Sequence, residues 1–153
     1  MEKINIYVLI RAVLGCLFVV SGFEKIISPP QNFLYVVQAY GILNGVFDQG
    51  IVSVVPWVEF LTGVFLFLGL WLKRSLQVLF VLMSGFIIVV GQALARHLPI
   101  DECGCFGGLF SFPPPVVLAM DTTLLFLAGW VYHKIVKARC WSVDGYFQKN
   151  ARG

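Results

Sequence analysis

Four runs of this chain, over residues 4–22, 51–72, 76–94 and 116–136, are almost free of charged side chains. Each is about as long as a helix must be to cross the hydrocarbon of a bilayer, roughly 20 residues. At 153 residues the length would suit one soluble domain, but 59% of the residues are hydrophobic and only 12% are charged. An ordinary soluble domain carries about 25% charged residues. The chain therefore reads as an all-α, polytopic membrane protein, a four-transmembrane-helix bundle forming one domain over residues 1–153. A net charge of +3, spread along the chain rather than gathered in one patch, gives no reason to expect nucleic acid as a partner.

The first run holds Asn5, Arg11 and Ser21 as its polar residues. A cleaved signal peptide is the rival reading, but no small-x-small pattern follows, and Arg11 sits inside the apolar run instead of before it. Arg11 is close enough to the N-terminal end to snorkel to the surface as an interfacial anchor. Glu24 and Lys25 begin a connection over residues 23–50, and the Pro29-Pro30 pair ends the first helix. Within that connection Phe33, Leu34, Val36, Val37 and Tyr40 recur at helical spacing, which predicts a short amphipathic helix on the membrane surface or a lid over the bundle end. The second run is interrupted by Ser53, Pro56, Glu59 and Thr62, and Lys73-Arg74 reads as a tight turn into the third. The loop over 95–115 closes in Pro113-Pro114-Pro115, compatible with a stiff lead into a helix whose first turn tolerates proline. Asp121 lies in the first turns of the fourth run, and a basic tail with Trp141, Tyr146 and Phe147 follows.

Four spans put both termini and the turn between the second and third spans on one side. Lys3, Lys73, Arg74, Lys134, Lys137, Arg139, Lys149 and Arg152 fall there, against Lys25 and Arg96 on the other. The positive-inside rule then places both termini in the cytoplasm and the loop over 95–115 outside.

That loop contains Asp101-Glu102-Cys103-Gly104-Cys105-Phe106-Gly107-Gly108. Residues i and i+2 lie within bridging range, so Cys103 and Cys105 can form a disulfide. The loop it closes is so short that the bond staples almost nothing, and a strained, exposed disulfide is of the labile, exchanging kind. The outer side is also where disulfides persist. Cys140 falls in the reducing cytoplasm and Cys16 near mid-membrane, where a free cysteine ordinarily packs as a small hydrophobe. The expected catalytic pair is Cys103 and Cys105. Lys25, Glu59, Arg96, His97 and Asp121 form a supporting polar cluster at the same end of the bundle, with Gln92 and Glu24 nearby. Glu59 and Asp121 are either functional or ion-paired with Lys25 or Arg96. Arg96 and His97 would favour a thiolate, whereas Asp101 and Glu102 oppose it. A metal reading uses His97, Cys103 and Cys105 with Asp101 or Glu102, but the one-residue gap is shorter than structural zinc spacing, so no metal site is assigned.

The residues Arg11, Gly15, Phe18, Ser21, Gly22, Lys25 and Pro29, then Pro56, Glu59 and Gly63, then Cys103-Gly104-Cys105-Phe106-Gly107, carry a resemblance to the DoxX-like superfamily, and most to its MauE branch, named for methylamine utilisation. It extends from about Arg11 to the end of the fourth helix. The resemblance implies a bacterial cytoplasmic-membrane protein associated with thiol–disulfide chemistry, its loop facing the periplasm. It also implies an extracytoplasmic thiol or disulfide protein as partner and, through other relatives, a quinone as possible electron acceptor. The architecture is similar to the vitamin K epoxide reductase bundle, a likeness of fold alone. The chain departs from that bundle in lacking a membrane-embedded Cys-x-x-Cys pair. The expected function is thiol–disulfide exchange by the external pair. The alternatives are a non-catalytic scaffold or chaperone subunit, and a metal or small-molecule binding or transport protein. The transport reading is weakened by four short spans without an inverted repeat.

Overall fold

The computed structural model describes residues 5–39, 46–96, 113–138, 142, 143 and 146, and these are helical apart from short connections and caps. Helix α1 spans Ile6–Ile27, α2 Pro30–Ala39, α3 Val46–Leu68, α4 Leu72–Ala95, α5 Pro114–His133 and α6 Ile135–Ala138. Among the described residues four helices, α1, α3, α4 and α5, are long and apolar enough to cross a membrane. The protein is an integral membrane protein, and its environment is a lipid bilayer. Cys103, Cys105, Cys140, His97, Asp101 and Glu102 lie outside the described residues.

The four long helices pack in a ring, α1 against α3, α3 against α4, α4 against α5, and α5 back against α1. The pattern is that expected of a chain dissolved in hydrocarbon. Val13, Val20, Val54, Trp57, Val81, Ile88 and Phe126 face outward, while Arg11, Glu24, Lys25, Asp48, Glu59, Thr62, Ser75 and Asp121 are buried. An apolar core of Leu14, Phe18, Leu66, Leu72, Leu76, Leu79, Met83, Ala128 and Val131 fills the half of the bundle nearer the chain termini. Tyr7 and Trp130 meet edge to face there, at 5.3 Å between ring centroids. Lys25, Glu59 and Asp121 lie in the other half, while Arg11 and Ser75 are buried polar residues of the terminal half.

The widest interface is α1 with α3, and it is made by backbone approaching backbone. A Cβ on Gly22 would lie 2.5 Å from Phe60 N and 2.8 Å from Pro56 O. On Gly63 it would lie 2.6 Å from Val19 N, and on Gly15 2.7 Å from Phe67 N. Small residues are what let membrane helices come this close, because helices in lipid gain more from van der Waals packing than from burying apolar surface. α3 remains helical through Pro56. α5 starts as its sequence suggests, with Pro113 extended at the N-cap and Pro114 in the first turn.

Several local features differ from the sequence reading. The turn between α3 and α4 falls at residues 69–71, before Lys73 and Arg74, which lie in the first turn of α4. Gly69 takes φ +69°, its N–H bonds to Leu66 O (3.2 Å), and Leu70 N–H bonds to Phe65 O (2.8 Å). Those two bonds form a Schellman motif, which stops α3 at a left-handed glycine. Arg11 does not snorkel. It is 2% exposed, and its Nη1 donates to the carbonyl of Ala138 at 2.7 Å. A helix end leaves carbonyls without intrahelical donors, and a buried guanidinium needs acceptors, so each answers the other's requirement. Cys16 is exposed rather than packed. The buried stripe of α1 runs through Leu14, Gly15, Phe18 and Gly22, and Cys16 falls off it toward lipid.

Candidate functional site

α1 continues past Gly22 to Ile27, so Lys25 belongs to the helix and not to the connection after it. The glycine contact at Gly22 holds this last stretch of α1 against α3, one turn from Lys25 and beside Glu59. Lys25 Nζ donates to Glu59 Oε2 at 2.8 Å and to Ser21 Oγ at 2.7 Å, and Ser21 Oγ donates to Glu59 Oε2 at 3.4 Å. Both charged side chains are essentially inaccessible, at 1% and 2% exposure. The ammonium also lies 5.7 Å from the ring centroid of Phe33 and 5.6 Å from that of Phe86. These are cation–π distances, and the ring faces replace part of the hydration the ammonium has lost. Phe33 stands on α2, so α2 reaches the pair; between the surface helix and the lid that the spacing left open, this contact favours the lid.

Asp121 enters from α5, two turns into the helix, and is 7% exposed. With Ser21 and Glu59 it lines a small cavity of about 30 Å³, whose other walls are Leu17, Phe18, Met83, Phe86 and Leu124. Its Oδ2 is buried and has no hydrogen-bond partner among the described residues. A water needs about 10–15 Å³ of such space and two or more polar partners, so the cavity has room for about two waters. On the other side of Leu17 and Leu124 a larger groove of about 510 Å³ opens outward between α1 and α5. Pro115, Val116, Ala119, Met120 and Thr123 form the rest of its wall. Thr123 spends its hydroxyl on the carbonyl of Ala119 (2.8 Å), which leaves the groove almost wholly apolar.

The structure thus brings together Lys25, Glu59 and Asp121 from three helices. Arg96 does not join them: it is exposed at the C-cap of α4, and the ion pair of Glu59 is with Lys25. Ser21, Phe33 and Phe86 complete the cluster. The first two were noticed for other reasons, and Phe86 carried no signal, since an aromatic residue in an apolar span is ordinary.

The family model for "Methylamine utilisation protein MauE" matches residues 3–134, which covers all four spans and the Cys-Gly-Cys loop. The chain belongs to the MauE family. Within it, the glycines of the α1–α3 contact, Lys25, Glu59, Asp121 and both loop cysteines all fall inside the matched region. No curated protein and no solved structure matches this MauE-family chain.

Proposed function

We propose that this MauE-family protein is an integral membrane thiol–disulfide redox protein. Its Cys103–Cys105 pair exchanges with a disulfide or dithiol protein on the extracytoplasmic side. The observation that supports the reading most is topological. The chain leaves α4 at Arg96 and begins α5 at Pro113, so the loop holding the pair is anchored at the bundle end where α1 terminates just beyond Lys25. The positive charge of Lys73, Arg74, Lys134 and the tail at the opposite end favours an external loop. Cys103 with Cys105, the supporting cluster of Lys25, Glu59 and Asp121, and the flanking Arg96 and His97 are the residues assigned to the activity.

In the oxidising direction a partner thiolate attacks one sulfur of the Cys103–Cys105 bond. That bond breaks, a mixed disulfide forms, and the leaving thiolate takes a proton. The partner's second thiolate then attacks the mixed disulfide, so two electrons pass to the pair and both loop cysteines end as thiols. Turnover needs an oxidant, and a bilayer quinone, which accepts two electrons and two protons, is the class the family resemblance suggests. The groove fits such a ring by volume, within the range of about 300–1,000 Å³ usual for small-molecule sites, and by its apolar lining. Leu17, Val116, Ala119, Met120 and Leu124 would hold it there.

The test is a redox titration of the purified protein in glutathione buffers, read by counting alkylated thiols. A reversible two-electron transition more oxidising than about −300 mV is expected, because structural disulfides lie below that value. Of Cys103→Ser and Cys105→Ser, one should trap a mixed disulfide with the partner. Thiols that stay free across the whole range would refute the exchange reading and leave the loop as a docking element of a scaffold subunit.

A further inference from the structure

Three ionisable side chains meet inside the bundle, one ammonium and two carboxyls. Lys25 neutralises one of them, since its Nζ is bonded to Glu59 Oε2 at 2.8 Å and Ser21 adds a second donor. Among the described residues Asp121 has no such donor on Oδ2, although that atom is fully buried and the residue lines the same cavity as Glu59. The groups facing it can be named element by element. α1 offers Lys25, and Glu24 is not in the cavity wall. α3 offers Glu59, and α4 offers only Met83 and Phe86. Were all three groups charged, the cavity would hold one uncompensated negative charge against walls of Leu, Phe and Met, which a low-dielectric interior does not sustain. A metal cation would need a shell of oxygens, and Glu59 Oε2 already serves two donors. A proton needs one oxygen.

We infer that the cavity between Glu59 and Asp121 is a proton-binding site, with the proton held on the carboxyl of Asp121. On binding, the Asp121 carboxylate becomes a neutral carboxyl whose O–H can donate to water in the cavity. No electron moves. Water between the two carboxyls links the proton to Glu59, and a proton can leave or arrive there without the Lys25–Glu59 pair breaking. The site therefore supplies an exchangeable proton inside the membrane, and holding that proton does not require the loop cysteines.

Infrared spectroscopy of the full-length protein in lipid nanodiscs, in H₂O and in D₂O, reads protonated carboxyls through their carbonyl stretch. Counting charges fixes the change expected in each variant relative to wild type, with buried Glu24 and Asp48 a background common to all of them. Asp121→Asn should lose one deuterium-sensitive carboxyl. Glu59→Gln should also lose one, although Asp121 is intact, because Asp121 then ionises opposite Lys25. Lys25→Met should gain one. Cys103→Ser with Cys105→Ser should leave the wild-type spectrum in place, which separates this site from the redox reading. No carboxyl lost in Asp121→Asn, none lost in Glu59→Gln, or none added in Lys25→Met would each overturn the assignment. The three substitutions act in different directions on one count, so a general loss of packing cannot imitate the pattern.

Discussion

Replacing Gly22 by alanine tests the claim that direct backbone contact sets the geometry of the polar cluster. The new Cβ would sit 2.5 Å from Phe60 N, 2.8 Å from Pro56 O and 2.9 Å from Phe60 Cα. Carbon contacts are comfortable at about 3.5 Å, and none of these neighbours is a flexible side-chain tip, so α3 must retreat by about 1 Å. Overpacking of this kind costs about 1–3 kcal/mol, or roughly a 5- to 150-fold rise in the unfolding equilibrium constant. The same retreat, one turn from Lys25, stretches its 2.8 Å bond to Glu59 beyond the hydrogen-bonding range of about 3.2 Å. Gly85→Ala is the internal control. No described residue lies within 4 Å of a Cβ there, and alanine in a helix is favoured over glycine by about 0.5–1 kcal/mol. SDS titration of the protein in mixed micelles, followed by circular dichroism, should therefore move the two midpoints in opposite directions. If Gly22→Ala proves as stable as wild type, or shifts with Gly85→Ala, backbone contact does not hold this bundle together.

Four further outcomes are expected. A membrane-impermeant maleimide applied to intact cells after mild reduction should label Cys103 or Cys105 and leave Cys140 unlabelled; labelling of Cys140 alone would invert the orientation. Glu59→Gln should insert normally yet change the alkylation rate of the loop thiols, and unchanged kinetics would confine Glu59 to packing and ion pairing. Arg11→Leu removes a charged donor from the Ala138 carbonyl, a bond class worth about 1.5–3 kcal/mol, so the C-terminal segment should become sensitive to limited proteolysis while the spans stay protected. Ala119→Trp should fill the groove and slow quinone-dependent reoxidation of the loop thiols without disturbing the infrared bands of the cluster, and reoxidation at the wild-type rate would exclude the groove.

The fold was legible because hydrocarbon imposes a simple code: long runs without charge, ended by proline, glycine or basic residues. The cluster was legible in part, since Lys25, Glu59 and Asp121 are conspicuous in such runs. Their partners were not. Choosing between Lys25 and Arg96 for Glu59 depends on which helices touch. The α1–α3 contact is written in Gly15, Gly22 and Gly63, whose role is visible only when the two backbones face each other. Arg11 misled for a related reason. Its acceptor, Ala138, is 127 residues away in sequence, and no local pattern announces it. The turn at Gly69 was masked by Lys73 and Arg74, which mark a membrane boundary but not the end of a helix.

The pairing of helices also bears on how the chain enters the bilayer during synthesis. The broadest interfaces join α1 to α3 and α4 to α5, so the protein is built as two hairpins, each formed from consecutive spans and joined by the left-handed stop at Gly69. Insertion of a lone lysine or aspartate at mid-membrane is opposed by about 2.5–3.5 kcal/mol. The first hairpin meets that demand within itself, because Lys25 and Glu59 face each other across its own two helices and can enter as a neutralised couple. Asp121 comes with the second hairpin, and among the described residues the cation facing it, Lys25, belongs to the first. Its arrival is tied to the docking of the two halves, which makes the last step of assembly the one that completes the polar cluster.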